Sequence, residues 1–140
     1  MAWWPTILEV LREAECSRNL YYLTQDYLKE RKANITINNI SMEKKITKGC
    51  PQGSCCGRGL WNIHFDPLLK LPHTKHTKVV AFADDLLRMV GAESVGEAEN
   101  TANIVLNKIC KWARDNKLRF NEDKSMVMLL TRRKRKEQDK

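Results

Sequence analysis

Apolar residues in the first part of the chain recur every three or four positions, which places them on one face of a helix. Residues 7–14 form one such stretch. A second stretch follows Ser17, a residue type favoured just before a helix, and reaches Leu28. The pattern therefore predicts two short amphipathic helices, each of which needs a partner surface for its apolar face.

From Asn34 the spacing of the apolar residues changes to two, which is typical of a strand with one apolar face. Residues 34–38 and 40–46 show this alternation. Asn38 and Asn39 lie at the junction, and asparagine tolerates the positive φ angles that a tight turn requires. The sequence therefore predicts a β-hairpin in this region.

The middle of the chain begins with an irregular segment, residues 48–54, in which two glycines and a proline favour a loop. This loop precedes an apolar stretch at 60–68 that predicts a helix. Residues 78–83 then form a run apolar enough to predict a strand covered on both faces. Residues 86–90 predict a second strand after a short acidic interruption.

The longest predicted helix has clear boundaries. Ser94 and Glu97 have the spacing of a capping box, and helical spacing continues as far as Asn116, which is a stop signal. Residues 117–120 and 126–130 then predict two closing strands. Helices and pairs of strands are therefore predicted along the whole chain.

Length and composition limit the class of protein. The 140 residues suffice for one domain, and 42% hydrophobic with 30% charged residues is typical of a globular chain rather than a disordered or collagen-like one. The net charge is +8, and much of the excess lies in a basic tail, so we predict a domain at 1–130 and a tail at 131–140. The run at 132–136 could bind a phosphate backbone, act as a nuclear-import signal or remain a solvated tail, which is the default interpretation.

Two further features bear on the cellular compartment. No apolar run approaches the roughly 18 residues of a membrane span, and the first residues lack the features of a signal peptide. The five cysteines are odd in number and irregularly spaced, which fits reduced thiols better than a disulfide framework. We expect an intracellular, nuclear protein without a membrane partner.

Asp84 and Asp85 interrupt the apolar run of the second strand pair. Carboxylates close together repel each other and are stabilised by cations, and Mg²⁺ typically takes one or two carboxylates plus substrate phosphates. Adjacent strand residues point to opposite faces, so both acids can face one ion only if the chain turns there. Aspartate also favours turns for its own backbone hydrogen bonds, so the pair alone leaves metal binding and a structural turn both open.

The acidic pair occurs with other motifs in a fixed order. These are Gly49-Cys50-Pro51-Gln52-Gly53-Ser54, Leu60-Trp61-Asn62-Ile63, Phe82-Ala83-Asp84-Asp85, and Asn116-Lys117-Leu118 followed by Asn121 and Lys124. Together they resemble the reverse transcriptase palm of non-LTR, LINE-like retrotransposons, from about residue 3 to residue 130. The resemblance implies an α+β fold in which helices pack on one face of an antiparallel sheet. The combination of the GCPQGS loop with the FADD box is highly specific for that family.

The resemblance implies the function and the site. The parent enzyme would be an RNA-directed DNA polymerase that uses Mg²⁺ in two-metal nucleotidyl transfer, with RNA template, DNA primer and deoxynucleoside triphosphates as partners. It implies that Asp84 and Asp85 are catalytic metal ligands and that Lys124 is a candidate general acid for the departing pyrophosphate. It also implies that template and nucleotide are positioned by Pro51, Gln52, Gly53 and Phe82.

The sequence also departs from the family pattern. The first metal-binding aspartate and the aromatic ribose-sensing residue are absent, as are the fingers before them and the thumb after residue 130. Cys55-Cys56 replaces an apolar pair. We therefore expect a palm truncated at its N-terminus that is inactive as an isolated chain. The alternative is a non-catalytic remnant that binds nucleic acid through its basic surface and tail.

Other candidate residues have simpler interpretations. The spacing of the cysteines and histidines does not match structural zinc sites, so Cys55 and Cys56 are expected to pack as small hydrophobic residues. The histidines are expected on a helix surface and in a polar loop; they are His64, His73 and His76. The four tryptophans are expected in the core, and Lys124 is equally compatible with a solvated residue in a turn.

Overall fold

The computed structural model describes residues 1–51, 53–72 and 76–131. Gln52, His73 and the basic residues 132–136 therefore lie outside the described residues. Four α-helices, four strands and one 3₁₀ turn occur within this part of the chain, which confirms the α+β class. In chain order they are α1 Trp4–Glu13, α2 Arg18–Leu28, β1 Lys32–Ile37, β2 Ile40–Lys45, α3 Gly57–Leu69, β3 Thr77–Phe82, β4 Asp85–Val90, α4 Val95–Asp115 and the 3₁₀ turn Glu122–Lys124.

Helix α3 lies between two groups of buried apolar side chains. The N-terminal cluster contains one residue before α1 and residues from α1, α2 and the start of α3, and its members are Ala2, Ile7, Leu11, Leu28 and Leu60. The C-terminal cluster joins α3 to α4, and its members are Phe65, Leu68, Val105, Ile109, Trp112 and Ala113. Burying one such side chain stabilises the fold by about 2 kcal/mol. Because α3 contributes to both clusters, it fixes the two halves of the core relative to each other.

The strands form two separate antiparallel hairpins within the described residues. β1 pairs with β2 across a turn in which Asn38 and Asn39 have φ angles of 50° and 64°, so the hairpin predicted from these asparagines is confirmed. β3 pairs with β4, and α3 and α4 pack against one face of this second hairpin. Its inward residues include Ala81 and Leu86, which contact the C-terminal cluster.

The two closing strands predicted at 117–120 and 126–130 are wrong. Leu118 and Phe120 instead pack against the C-terminal cluster, because Lys117 has a left-handed φ of 53° that turns the chain back after α4. Residues 126–130 form no regular structure and their apolar side chains are exposed. A strand pattern alone does not supply a pairing partner, and no neighbouring strand in the described chain lies against these segments.

The β3–β4 hairpin has an uncovered outer face. The prediction that its first strand is buried on both faces is wrong, because Val80 is 51% exposed and Phe82 is 83% exposed. Leu87 and Met89 of β4 share this outer face, since they pair with outward residues of β3. A run of consecutive apolar residues therefore did not distinguish a strand covered on one face from a strand covered on both.

No α-helix in the described ranges combines the length and apolar character needed to cross a membrane.

His64 lies in the core rather than on a helix surface, so that prediction is wrong. Its side chain is 0% exposed and lies between the rings of Trp61 and Trp112, with ring centroids 5.8 Å away in both cases. Neither ring nitrogen has a hydrogen-bond partner among the described residues. Burial therefore lowers the pKa of His64 from 6.5 to about 4, because the charged form loses its hydration.

The buried histidine makes folding stability depend on pH. The unfolded chain binds a proton at His64 below pH 6.5, whereas the folded chain resists it until about pH 4, so stability is complete above pH 6.5 and falls as the pH drops through this window. Between pH 7 and 5 we expect a loss of about 2 kcal/mol in the free energy of unfolding, measured by urea denaturation.

The variant His64→Phe should lose much less stability over the same range, while the variant His76→Gln, at an exposed histidine, should behave like the natural chain. Equal losses in the natural chain and His64→Phe would show that His64 does not control this dependence.

Candidate active site

The acidic pair lies at the tip of the β3–β4 hairpin. Phe82 pairs with Asp85 as the last rung, which leaves Ala83 and Asp84 as the two turn residues. Both carboxylates are exposed. The chain thus turns at the acids themselves, which is the condition under which two adjacent carboxylates can approach one ion.

Ala83 adopts an unfavourable backbone conformation for a residue with a side chain. Its φ is 54°, in the left-handed region that glycine occupies more readily. Such a residue costs on the order of 1 kcal/mol and persists when its surroundings hold it in place. An interaction outside the hairpin is therefore expected to hold this turn.

Trp61 of α3 provides that interaction. Its indole Nε1 donates a hydrogen bond to the backbone oxygen of Ala83, with an N···O distance of 2.7 Å. The same indole stacks on Phe65, with ring centroids 5.2 Å apart and an interplanar angle of 22°, so the ring is held in position by the C-terminal cluster. The prediction that Trp61 lies in the core is confirmed in part, because its side chain is partly buried against the C-terminal cluster. The sequence did not predict the hydrogen bond from Trp61 to the acidic turn.

The glycine-containing loop leads directly into α3. Gly49 and Gly53 have φ angles of 103° and 79°, which are disfavoured for other residues. The start of the loop is fixed by Trp4, whose Nε1 donates to the oxygen of Gly49 over 2.8 Å. Its end is folded tightly, since the nitrogen of Ser54 donates to the oxygen of Pro51 over 3.3 Å. Tryptophan side chains thus fix both the loop and the turn.

The cysteines of this loop region differ in exposure. Cys50 is half-buried, and burial raises the pKa of its thiol. Cys55 and Cys56 are exposed, so the prediction that they pack as small hydrophobic residues is wrong. Their sulfur atoms are 3.7 Å apart, and the hydrogen bond to Cys55 raises the pKa of the Cys56 thiol. The pair is a polar, accessible feature beside the loop.

The structure brings some of the predicted site residues together. Asp84, Asp85 and Phe82 share the hairpin tip, and α3 connects this tip to the loop that carries Pro51 and Gly53. Gln52 lies outside the described residues. The assignment of these residues to template and nucleotide binding stays a prediction.

Lys124 is the last residue of the 3₁₀ turn. The Asn121 side chain accepts a hydrogen bond from the nitrogen of Asp123 over 3.1 Å and so shapes this turn. Lys124 forms no hydrogen bond or ion pair with the acidic pair within the described residues. Both its catalytic and its solvated interpretations therefore stay open.

Only part of a metal site is supplied by these residues. Across residues 1–51, 53–72 and 76–131, no group of three or more histidine, cysteine or acidic side chains is arranged to hold a metal ion. The hairpin tip offers two carboxylates, and hard oxygen donors of this kind suit Mg²⁺ when substrate phosphates complete its coordination. The donor chemistry fits a divalent cation, and further oxygen ligands must come from outside this pair.

Comparison with known protein families gives a match over nearly the whole chain. The model of the family described as reverse transcriptase (RNA-dependent DNA polymerase) matches residues 2–139. No solved structure matches the chain.

Three curated relatives are informative. A putative 115 kDa protein of the type-1 retrotransposable element R1DM from Drosophila melanogaster is 29% identical over 127 residues, which cover 91% of this chain and 12% of that protein. A Pol polyprotein of an R1 element from Nasonia vitripennis is 32% identical over 82 residues, which cover 59% of this chain and 24% of that protein. A Pol polyprotein of an R1 element from Bradysia coprophila is 31% identical over 111 residues, which cover 79% of this chain and 11% of that protein. The chain therefore spans less than a quarter of the length of these relatives.

The Trp61 hydrogen bond can be tested by replacing the indole with an aromatic ring that has no donor. Because a hydrogen bond of this kind contributes a net of about 1 kcal/mol, Trp61→Phe should increase amide exchange at residues 83–86 by about fivefold, measured by hydrogen–deuterium exchange. Trp4→Phe is the matched control, since it removes a bond of similar length to Gly49. That variant should increase exchange near Gly49 and leave the turn unchanged. Unaltered exchange at 83–86 in Trp61→Phe would refute the assigned role.

Proposed function

Since this chain belongs to the reverse transcriptase (RNA-dependent DNA polymerase) family, we propose that it supplies the metal-binding turn and the template-positioning loop of a retrotransposon polymerase. The observation that carries this proposal is the hydrogen bond from Trp61 to Ala83, which joins the helix after the glycine loop to the acidic turn. A polymerase must hold its metal ligands and its template contacts in a fixed relation, because positioning supplies most of its catalysis. The R1 relatives support a non-LTR element as the source of this segment.

We propose Mg²⁺ as the ion held by Asp84 and Asp85. Reverse transcriptases as a family use a divalent metal, and the exposed carboxylates at the tip offer oxygen donors for one. When bound, the ion supplies charge neutralisation at the transferring phosphoryl group and aligns the reacting oxygens. The chain itself contributes the turn that carries both acids and the indole that holds the turn.

The neighbouring residues support contact with nucleic acid. Phe82 pairs with Asp85, so its exposed ring lies beside one of the proposed metal ligands and is free to stack on a base or sugar. Pro51 and Gly53 lie in the loop before α3, and Gly53 is exposed there. We propose that this loop and Phe82 contact template and incoming nucleotide, and that Lys124 acts as general acid once the full polymerase brings it near the leaving group.

The isolated chain is expected to bind a cation without sustained synthesis. A two-metal site needs more bridging oxygen than two adjacent carboxylates supply. RNA template, DNA primer and deoxynucleoside triphosphates are therefore proposed as partners of the longer polymerase. In this view the turn described here is one part of a composite site.

Cation binding at the turn can be measured with Tb³⁺, a hard cation that indole sensitises to luminesce. Trp61 lies in contact with Ala83, so Tb³⁺ at the acidic pair should give sensitised emission that Mg²⁺ competes away. Asp84→Asn and Asp85→Asn should each weaken Tb³⁺ binding about tenfold, because each removes a charged ligand.

Asp123→Asn is the matched control for this titration, because it neutralises an exposed aspartate in the 3₁₀ turn. It should leave the emission and its affinity unchanged. Binding that Asp84→Asn and Asp85→Asn do not weaken would contradict the proposed metal site.

The second candidate function is nucleic-acid binding without catalysis. The net charge of +8 and the basic run at 132–136 favour it, since Lys and Arg side chains attract a phosphate backbone irrespective of sequence. We also propose a nuclear location, because the same basic run has the composition of a nuclear-import signal.

Electrostatic binding gives a clear salt dependence. The logarithm of the affinity for single-stranded RNA, measured by fluorescence anisotropy, should fall linearly with the logarithm of the salt concentration. Deletion of 131–140 should reduce both the affinity and the slope of this line. Deletion of 137–140 alone is the control, because it keeps the basic run. Absent or salt-insensitive binding would dismiss this second candidate.

A further inference from the structure

Cys55 and Cys56 form an accessible pair of thiols just before α3. Both side chains are exposed and their sulfur atoms are 3.7 Å apart. Cys56 is the residue that precedes the first turn of the helix. The pair stands where the family pattern that this chain resembles has apolar residues, and the proposed polymerase function gives it no role.

The segment around the thiols is tightly folded. The nitrogen of Gly57 donates to the oxygen of Ser54 over 3.3 Å, so the chain from Ser54 to Gly57 forms a turn that contains both cysteines. A side chain at Gly57 would meet the Ser54 hydroxyl at 3.1 Å and the Pro51 oxygen at 3.2 Å. This close packing limits the movement of the backbone that carries the two sulfur atoms, and the site is therefore preorganised.

The geometry disfavours a direct bond between the sulfurs. Adjacent Cα atoms are about 3.8 Å apart across a trans peptide, which is shorter than the roughly 4.4 to 6.8 Å usual for disulfides. A disulfide here would be strained and readily reduced. The two sulfurs are better placed to bind one shared atom X than to bind each other. At the observed S···S separation of 3.7 Å, an atom X bonded to both sulfurs at about 2.3 Å would have an S–X–S angle of roughly 107°.

We propose that Cys55 and Cys56 form a bidentate vicinal dithiol that captures soft, thiophilic centres requiring two thiolates, of which organic trivalent arsenicals are the representative class. In this reaction an arsenical R–As=O condenses with the two thiols. Two As–S bonds form, both S–H bonds break, and the arsenic oxygen leaves with the two protons as water. Arsenic remains trivalent, so the step needs no oxidant or reductant.

The remaining cysteines do not offer the same chelate. Cys16 and Cys50 are half-buried, and Cys110 lies on the exposed surface of α4. Within the described residues, no third histidine, cysteine or acidic side chain joins the pair in a metal-binding group. The site is therefore a two-sulfur chelate, which distinguishes it from a structural zinc site with four ligands.

Phenylarsine oxide provides the test on the full-length chain. Intact-mass measurement should show one phenylarsenic group added with loss of one water. Cys55→Ser and Cys56→Ser should each weaken capture by about 100-fold or more, because a single thiol loses the advantage of intramolecular chelation. Cys110→Ser is the matched control at an exposed cysteine and should capture the arsenical like the natural chain.

Release of the arsenical by added thiols distinguishes chelation by both sulfurs from attachment to one sulfur. An added dithiol should release the arsenical at concentrations where a monothiol does not. The proposal is overturned if either single variant captures the arsenical as tightly as the natural chain, or if the monothiol strips it equally well. These readouts do not involve polymerisation or nucleic acid, so they are independent of the proposed function.

Discussion

The hydrogen bond from the Trp61 indole to the Ala83 oxygen connects the core to the acidic turn. Ala83 has a left-handed backbone that costs on the order of 1 kcal/mol, and a hydrogen bond of this kind contributes a net amount of similar size. The indole can provide this bond only because it packs against Phe65 and contacts both hydrophobic clusters. The geometry of the carboxylates therefore depends on the packing of α3.

Local patterns in the sequence predicted the local structure well. The spacing of apolar residues identified all four α-helices of the described chain. The predicted capping box is confirmed in part: the Ser94 side chain accepts a hydrogen bond from the nitrogen of Glu97, whereas the Glu97 carboxylate accepts from the nitrogen of Glu93 rather than from that of Ser94. The Asn38-Asn39 turn was also correct, because positive φ is a property of the residues themselves. These features depend on neighbours within a few positions, which a single sequence contains.

Features set by distant neighbours were predicted less well. Residues 126–130 have the apolar character of a strand but no strand to pair with, and Val80 faces outwards despite its apolar neighbours. The sequence predicted His64 on a helix surface. Its burial depends on rings from two different helices, which the local sequence pattern does not reveal. The acidic pair was found from its motif, yet the bond that holds its turn joins residues 22 positions apart in the chain and leaves no local signal.

The uncovered face of the β3–β4 hairpin has a consequence for handling this protein. A two-stranded ribbon has two open edges, and its unpaired backbone groups invite further strands to add to it. Lysine at such edges suppresses this association, and β1–β2 carries Lys32, Lys44 and Lys45, whereas β3–β4 has one lysine, Lys78. The first ribbon also exposes apolar side chains, among them Ile35 and Ile37, but it carries more lysines beside them. We therefore expect the second ribbon to be the more prone to association in concentrated solution, and a charged residue on its outer face at Val80 to raise solubility without entering the core.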